Sequence, residues 1–173
     1  MLIAATVPHN SGKRCSRVIR ENFDCGVPEL NQELKKYARQ NQRKGIAKTW
    51  VAIPQGGDGQ VAGYYSISMA ELQRELLPEN YRRGLPRYPL PVMRIGKLAV
   101  TQSMQGRRLG ETLLIDAFNR VIRLSEDIGV LGVIVDAFNE QAKEFYLQYG
   151  FIALEGDELS LFIPMTRILE AFT

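Results

Sequence analysis

The spacing of hydrophobic positions changes several times along the chain, and each change marks an element. After Phe23-Asp24-Cys25-Gly26, Pro28 suits a first helical turn, and Leu30, Leu34, Tyr37 and Ala38 recur at helical spacing. Residues 49–53 read as a strand, 54–59 as a glycine-rich loop, and 61–69 as the returning strand. In that second strand Val61, Gly63, Tyr65, Ile67 and Met69 alternate with Ala62, Tyr64, Ser66 and Ser68, giving two distinct faces. Residues 92–100 form another strand. Residues 111–128 carry the helical stripe Leu113, Leu114, Ala117, Phe118, Val121 and Ile122, with Gly129 as a stop. The run 130–135 suits a strand buried on both faces. Asn139 can cap a helix bearing Ala142, Phe145, Tyr146 and Tyr149 that ends at Gly150, and residues 151–154 and 159–163 suggest a closing hairpin. A weaker strand pattern covers 13–20. This order predicts an α+β domain around a mixed sheet.

The 173 residues fit one compact domain, with residues 1–12 expected as a loosely ordered segment ahead of a domain spanning 13–173. No stretch approaches the ~20 apolar residues of a membrane span. The opening Met1 to Val7 is too short for a secretory signal, so a cytoplasmic protein is expected. Cys15 and Cys25 make neither a disulfide framework nor a zinc site, and reduced thiols with packing roles are expected; no metal is implied. His9 is the only histidine, which argues against Ser-His-Asp or Cys-His chemistry. Charge is asymmetric: residues 1–97 hold 16 Lys/Arg against 8 Asp/Glu, whereas 98–173 hold 6 against 11. A positive half can attract an anionic partner. Lys35, Lys36, Arg39 and Arg43 share an arc roughly 100° wide on a helical wheel. Arg82, Arg83 and Arg87 lie in a proline-rich connection; a solvated face and an RNA-binding face both fit these residues.

The segment richest in chemistry is Lys97-Leu98-Ala99-Val100 followed by Gln105-Gly106-Arg107-Arg108-Leu109-Gly110. A short loop after a strand opens into a long helix, whose first N–H groups lack intrahelical partners. Those groups and the helix dipole favour an anion, and glycines admit phosphate oxygens to the backbone. Arg107 and Arg108 add charge there. A tight turn with two solvated arginines fits the same residues. The loop lacks the Gly-Lys-Ser/Thr ending of a P-loop and the full glycine pattern of a dinucleotide fold.

Downstream, Asp136-Ala137-Phe138-Asn139-Glu140-Gln141-Ala142-Lys143-Glu144-Phe145-Tyr146 closes with Tyr149-Gly150-Phe151. Together the two segments resemble the GNAT superfamily of N-acetyltransferases. Leu98 to Gly110 looks like its acetyl-CoA pyrophosphate motif, and Asn139 to Phe151 like its Asn-x-x-Ala-x-x-Phe-Tyr-x-x-x-Gly-Phe signature. The resemblance covers residues 13–165. It implies a mixed, mostly antiparallel sheet flanked by helices, with a central β-α-β unit that binds acetyl-CoA. It also implies cofactor contacts from Leu98, Ala99, Val100, Gln105, Gly106, Arg107, Arg108, Leu109, Gly110, Asn139, Ala142 and Phe145. The family loop commonly has glycine where Arg108 stands, so this side chain must point away from the phosphates or pair with them. Phe23-Asp24-Cys25-Gly26, Val61-Ala62-Gly63-Tyr64-Tyr65-Ser66-Ile67-Ser68 and Phe145-Tyr146 look like the GNAT toxins of bacterial toxin–antitoxin modules. That narrower resemblance implies acetylation of the amino group of an aminoacyl-tRNA, a block of translation, a homodimer and a ribbon-helix-helix antitoxin.

The resemblance makes Tyr146 the general acid for the leaving thiolate; helical spacing alone favours an aromatic core residue beside Phe145. Glu33, Glu71, Glu75 and Asp136 all remain open as the base, and the role stays unassigned. Two alternatives remain: an acetyltransferase of a small-molecule or protein amine, and a non-catalytic CoA- or RNA-binding module.

Overall fold

The computed structural model describes residues 2–6 and 18–172. In chain order its elements are β1 (Leu2–Thr6), α1 (Pro28–Gln32), a π-helical turn (Glu33–Tyr37), α2 (Ala38–Arg43), β2 (Lys48–Pro54), β3 (Gly63–Leu72), α3 (Glu79–Arg82), β4 (Leu90–Val100), α4 (Leu109–Ser125), β5 (Gly132–Asp136), α5 (Glu140–Gln148), β6 (Ile152–Leu154), β7 (Asp157–Pro164) and α6 (Met165–Phe172). This is the α+β class that the hydrophobic pattern predicts. Three elements were not anticipated: β1, α6 and the short α3, which lies inside the stretch expected to be a proline-rich connection. The strand expected over 13–20 falls mostly outside the described residues; within it, Ile19 makes an isolated parallel bridge to Gln60. His9 and Cys15 also lie outside them. Among the described residues no helix is long and apolar enough to cross a membrane.

The chain forms two compact units, the first made of Met1–Ser68 and Lys97–Ala117. Its strands follow the order β1-β2-β3-β4. β2 pairs antiparallel with both β1 and β3, in a register that sets Trp50 opposite Tyr65 and Val51 opposite Tyr64. Because strand side chains alternate between faces, this register sorts the unit into two layers. On one side Val51, Val61 and Tyr64 pack with Phe23, Cys25, Leu34 and Ala99. The Phe23 ring meets Tyr64 edge-on at 5.5 Å, and the Tyr64 hydroxyl donates to the Leu30 carbonyl at 2.7 Å. Cys25 is a buried free thiol in this core. On the other side Trp50 stacks on Tyr65 at 5.7 Å, and the Tyr65 hydroxyl donates to the Asp116 carboxylate on α4. Gly63 is on this side too. A Cβ there would lie 2.8 Å from Leu113 Cδ1 and 3.1 Å from the Ala99 carbonyl oxygen. Only a residue without a side chain lets α4 settle so closely on the strand.

One predicted core position is overturned. Leu34 and Ala38 are fully buried, but Tyr37 is 45% exposed. The wheel assumed a uniform α-helix, whereas Glu33–Tyr37 form a π turn. Its i→i+5 bonds widen the turn and swing Tyr37 out of the apolar stripe.

The second unit comprises Met69–Gly96 and Phe118–Thr173. β4 and β5 pair in parallel from Met93↔Val133 to Ile95↔Val135, while β7 pairs antiparallel with both β5 and β6. Val133, Ile134 and Val135 are all buried, as their unbroken apolar run requires. Leu72, Leu77, Leu90, Val92, Ile134, Leu154 and Phe162 form one core cluster. Phe118 of α4 stacks on Phe151 at 5.9 Å.

Candidate active site

In the first unit the end of β4 and the start of α4 enclose the anion-binding loop foreseen from the sequence. Leu98 and Val100 are half-buried and Ala99 belongs to the core. β4 runs on to Val100, although its register with β5 ends at Ile95. The loop after β4 is pinned from several directions. The Asp24 carbonyl accepts from the Gln102 amide at 2.8 Å and from Thr101 Oγ1 at 3.1 Å. Gln105 Nε2 donates to the carbonyls of Val100 at 2.9 Å and Cys25 at 3.1 Å. The Gln105 side chain therefore ties the loop to the segment that enters α1. Sequence reasoning took Gln105 for a cofactor contact and missed this tie, since nothing local signals a bond across eighty residues.

The next residues turn sharply. Gly106 has φ +74° and Arg108 φ +60°, both left-handed. Arg108 is the only described non-glycine residue in that region, at the very position where the resembling family carries glycine. The backbone thus makes the turn a glycine would, and the arginine bears the strain, about 1–2 kcal/mol for an L-residue. Alternating handedness over Gly106-Arg107-Arg108 turns successive N–H groups to one side, the concavity that binds anions. α4 begins at Leu109, and the Arg108 carbonyl accepts from both the amide and the hydroxyl of Thr112 at 3.1 Å. The Arg108 side chain points to solvent, 88% exposed, with one long pair from Nε to Glu111 at 3.9 Å. Gly106 has open space where a Cβ would stand. The loop therefore fits a diphosphate: donors, a helix N-terminus and two solvent-exposed guanidinium groups in one place.

The second unit carries the aromatic signature. Asn139 Oδ1 accepts from the Ala142 amide at 2.9 Å and caps α5, as its spacing predicted. Phe145 is half-buried, its ring 5.2 Å from Tyr146 and 5.0 Å from Tyr149. Tyr146 is 7% exposed, and its ring also meets Phe151 edge-on at 5.3 Å. Among the described residues its hydroxyl has no hydrogen-bond partner. No buried side-chain nitrogen or oxygen lacks one, so this hydroxyl reaches solvent from a buried ring. Burial pushes its pKa well above the ordinary tyrosine value. The phenol stays protonated at neutral pH, a donor held in place by packing.

Of the candidate bases, Asp136 has both carboxylate oxygens engaged. Arg94 Nη1 lies 2.6 Å from one, and Ser160 Oγ lies 2.9 Å from the other while also 2.9 Å from Asp157. Glu33 accepts from Asn41 Nδ2 at 3.1 Å, and Glu71 and Glu75 are exposed. None is brought to Tyr146 by a described contact. Lys35, Lys36, Arg39 and Arg43 are all exposed in the first unit. In the second unit Arg83 and Arg87 are exposed, whereas Arg82 pairs with Glu155 at 3.6 Å and reaches the Glu75 carbonyl. Arg82 is thus spent on holding its own connection.

Comparison with known proteins places these features. The Acetyltransferase (GNAT) family model matches residues 16–151. A tRNA-acetylating toxin of Mycobacterium tuberculosis is 33% identical over 144 residues, covering 83% of this chain and 84% of that protein. Among solved structures, a tyrosine-to-phenylalanine mutant of KacT superposes with a TM-score of 0.89 at 29% identity, covering 99% of each chain. AtaT complexed with acetyl-methionyl-tRNAfMet gives 0.88 at 30% identity, covering 100% of each chain. With a left-handed anion turn at the head of α4 and a capped α5 carrying a buried, protonated tyrosine, the chain belongs to the GNAT family of acetyltransferases.

Proposed function

We propose that this protein transfers the acetyl group of acetyl-CoA to the amino group of an aminoacyl-tRNA, and so blocks translation as the toxin of a toxin–antitoxin module. The observation that carries the reading is full-length likeness to AtaT, whose solved complex holds an acetylated aminoacyl-tRNA. A related structure of AtaTR holds AcCoA, and another holds the AtaT toxin with the C-terminus of its antitoxin AtaR. A cytoplasmic location, a homodimer and a ribbon-helix-helix antitoxin belong to the same reading.

Acetyl-CoA supplies the acetyl group as an activated thioester. The amides of Gly106, Arg107, Arg108, Leu109 and Gly110 hold the diphosphate, with the arginine side chains adding charge. The backbone of Leu98, Ala99 and Val100 offers hydrogen bonds to the pantetheine amides, and a free N–H there polarises the thioester carbonyl. Ala142 and Phe145 line the cofactor, while Asn139 keeps their helix in place. The acceptor nitrogen forms the new C–N bond as the C–S bond breaks. Tyr146 donates its proton to the departing sulfur, and the nitrogen gives up one proton, which restores the phenol through solvent. The amine of an aminoacyl ester is less basic than that of lysine, so water suffices to deprotonate it beforehand. Lys35, Lys36, Arg39 and Arg43, with Arg83 and Arg87, suit the RNA backbone.

Radiolabelled acetyl-CoA tests the proposal directly. Label enters charged tRNA and not the same tRNA after deacylation. Label that enters free amines or protein but never charged tRNA refutes the RNA substrate and favours an ordinary amine acetyltransferase.

A further inference from the structure

Tyr37 is an aromatic residue on the π turn that stands 45% exposed. A plain α-helix would carry it toward the core beside Leu34 and Ala38; the π turn presents it to solvent instead. The ring contacts of its unit join Phe23 to Tyr64 and Trp50 to Tyr65, and Tyr37 takes part in none among the described residues. Inserted π turns are rare and frequently occur at functional sites. Lys35 and Lys36 within the π turn, and Arg39 and Arg43 in α2 directly after it, are exposed as well. The helical segment also starts from the anion loop, through the bonds of Asp24 and Cys25 to Thr101, Gln102 and Gln105. An exposed ring among cations is the combination that holds single-stranded nucleic acid, the cations tracking phosphates and the ring stacking a base.

We propose that Tyr37 stacks against a nucleobase in the unpaired end of the RNA substrate, while Lys35, Lys36 and Arg39 neutralise neighbouring phosphates. The inference rests on the RNA substrate proposed above. The π turn then has a purpose: it converts a core position into a platform without lengthening the helix.

Steady-state transfer to charged tRNA by the unaltered protein, Tyr37→Ala and Tyr37→Phe tests this, with acetyl-CoA affinity measured by calorimetry on each. Tyr37→Ala raises KM for charged tRNA about five- to a hundredfold, as loss of one stacked base requires. kcat and acetyl-CoA affinity stay unchanged, and Tyr37→Phe behaves as the unaltered protein. Since stacking is not ionic, the salt dependence of KM keeps its slope in Tyr37→Ala and becomes shallower in Lys36→Gln. An unchanged KM in Tyr37→Ala overturns the stacking role. So does an equal loss in Tyr37→Phe, which marks a hydroxyl contact instead. If the unaltered protein acetylates no charged tRNA, the parent reading itself fails, an outcome that the variants cannot mimic.

Discussion

Replacing Tyr146 by phenylalanine removes one oxygen and leaves the packing in place. The ring keeps its edge contacts with Phe145 at 5.2 Å and Phe151 at 5.3 Å. The hydroxyl has no described partner to lose, so no donor or acceptor is orphaned. Stability therefore changes by no more than about 0.5 kcal/mol, which is about 1–2 °C in Tm for a chain of this size. The rate responds differently. A positioned general acid contributes about 10²–10⁴-fold, or about 2.7–5.5 kcal/mol of barrier, and all of it goes with the oxygen. The assay is the initial rate of CoA thiol release with charged tRNA, beside a thermal melt of the same preparation. A folded variant with the full rate refutes the acid role. A lost rate accompanied by a fallen Tm shows that the ring's packing, not its proton, was the contribution. The pH profile adds a sign. Burial raises the pKa of Tyr146 in the folded protein above its unfolded value of about 10. The stability linked to its protonation is complete below that unfolded value and is lost as pH rises through the folded one. The acid limb of the rate profile thus reports the amine, and the phenol titrates only in strong alkali.

Three further perturbations test the frame around the site. Arg108→Gly relieves the left-handed strain of about 1–2 kcal/mol and gives back part of it as unfolded-chain entropy of about 0.5–1 kcal/mol. A rise in Tm is expected, with an acetyl-CoA affinity that depends less steeply on salt; a fall in Tm contradicts the strain. Gly63→Ala sets a methyl 2.8 Å from Leu113 Cδ1 and 3.1 Å from the Ala99 carbonyl. It costs about 1–3 kcal/mol by overpacking and weakens acetyl-CoA binding in calorimetry by lifting the head of α4. Unaltered melting and binding together would contradict that seating. Asp24 has its pKa lowered by the Gly26 amide and then by the Asn31 side chain, at 2.9 and 2.8 Å. Its contribution is present above the ordinary aspartate value and lost as pH falls through the folded one. Asp24→Asn should therefore flatten the acid side of a Tm-against-pH curve, and two parallel curves would refute the linkage.

Where a signal was local, the sequence was enough. Val133, Ile134 and Val135 are buried on both faces because the run has no polar alternate, and Asn139 caps α5 because its side chain competes for the same amides wherever a helix begins. Arg108 is singled out by the family resemblance, whose loop carries glycine at that position, and its left-handed φ of +60° is the conformation a glycine would take. What escaped depends on partners distant in the chain. The Gln105 bond to Cys25 and the Tyr65 bond to Asp116 have no spacing rule. β1 is held by its register with β2, a partner more than forty residues away in the chain. The π turn escaped for another reason: a helical wheel presumes one period, and a local change of period moved Tyr37 from core to surface.

The central claim is a covalent one, and mass spectrometry of the aminoacyl-adenosine released by ribonuclease from treated charged tRNA meets it most directly. The account predicts a gain of one acetyl group on the amino nitrogen of the esterified amino acid, dependent on acetyl-CoA and abolished in Tyr146→Phe. An aminoacyl-adenosine of unchanged mass, in a reaction where acetyl-CoA is nevertheless consumed, would contradict it.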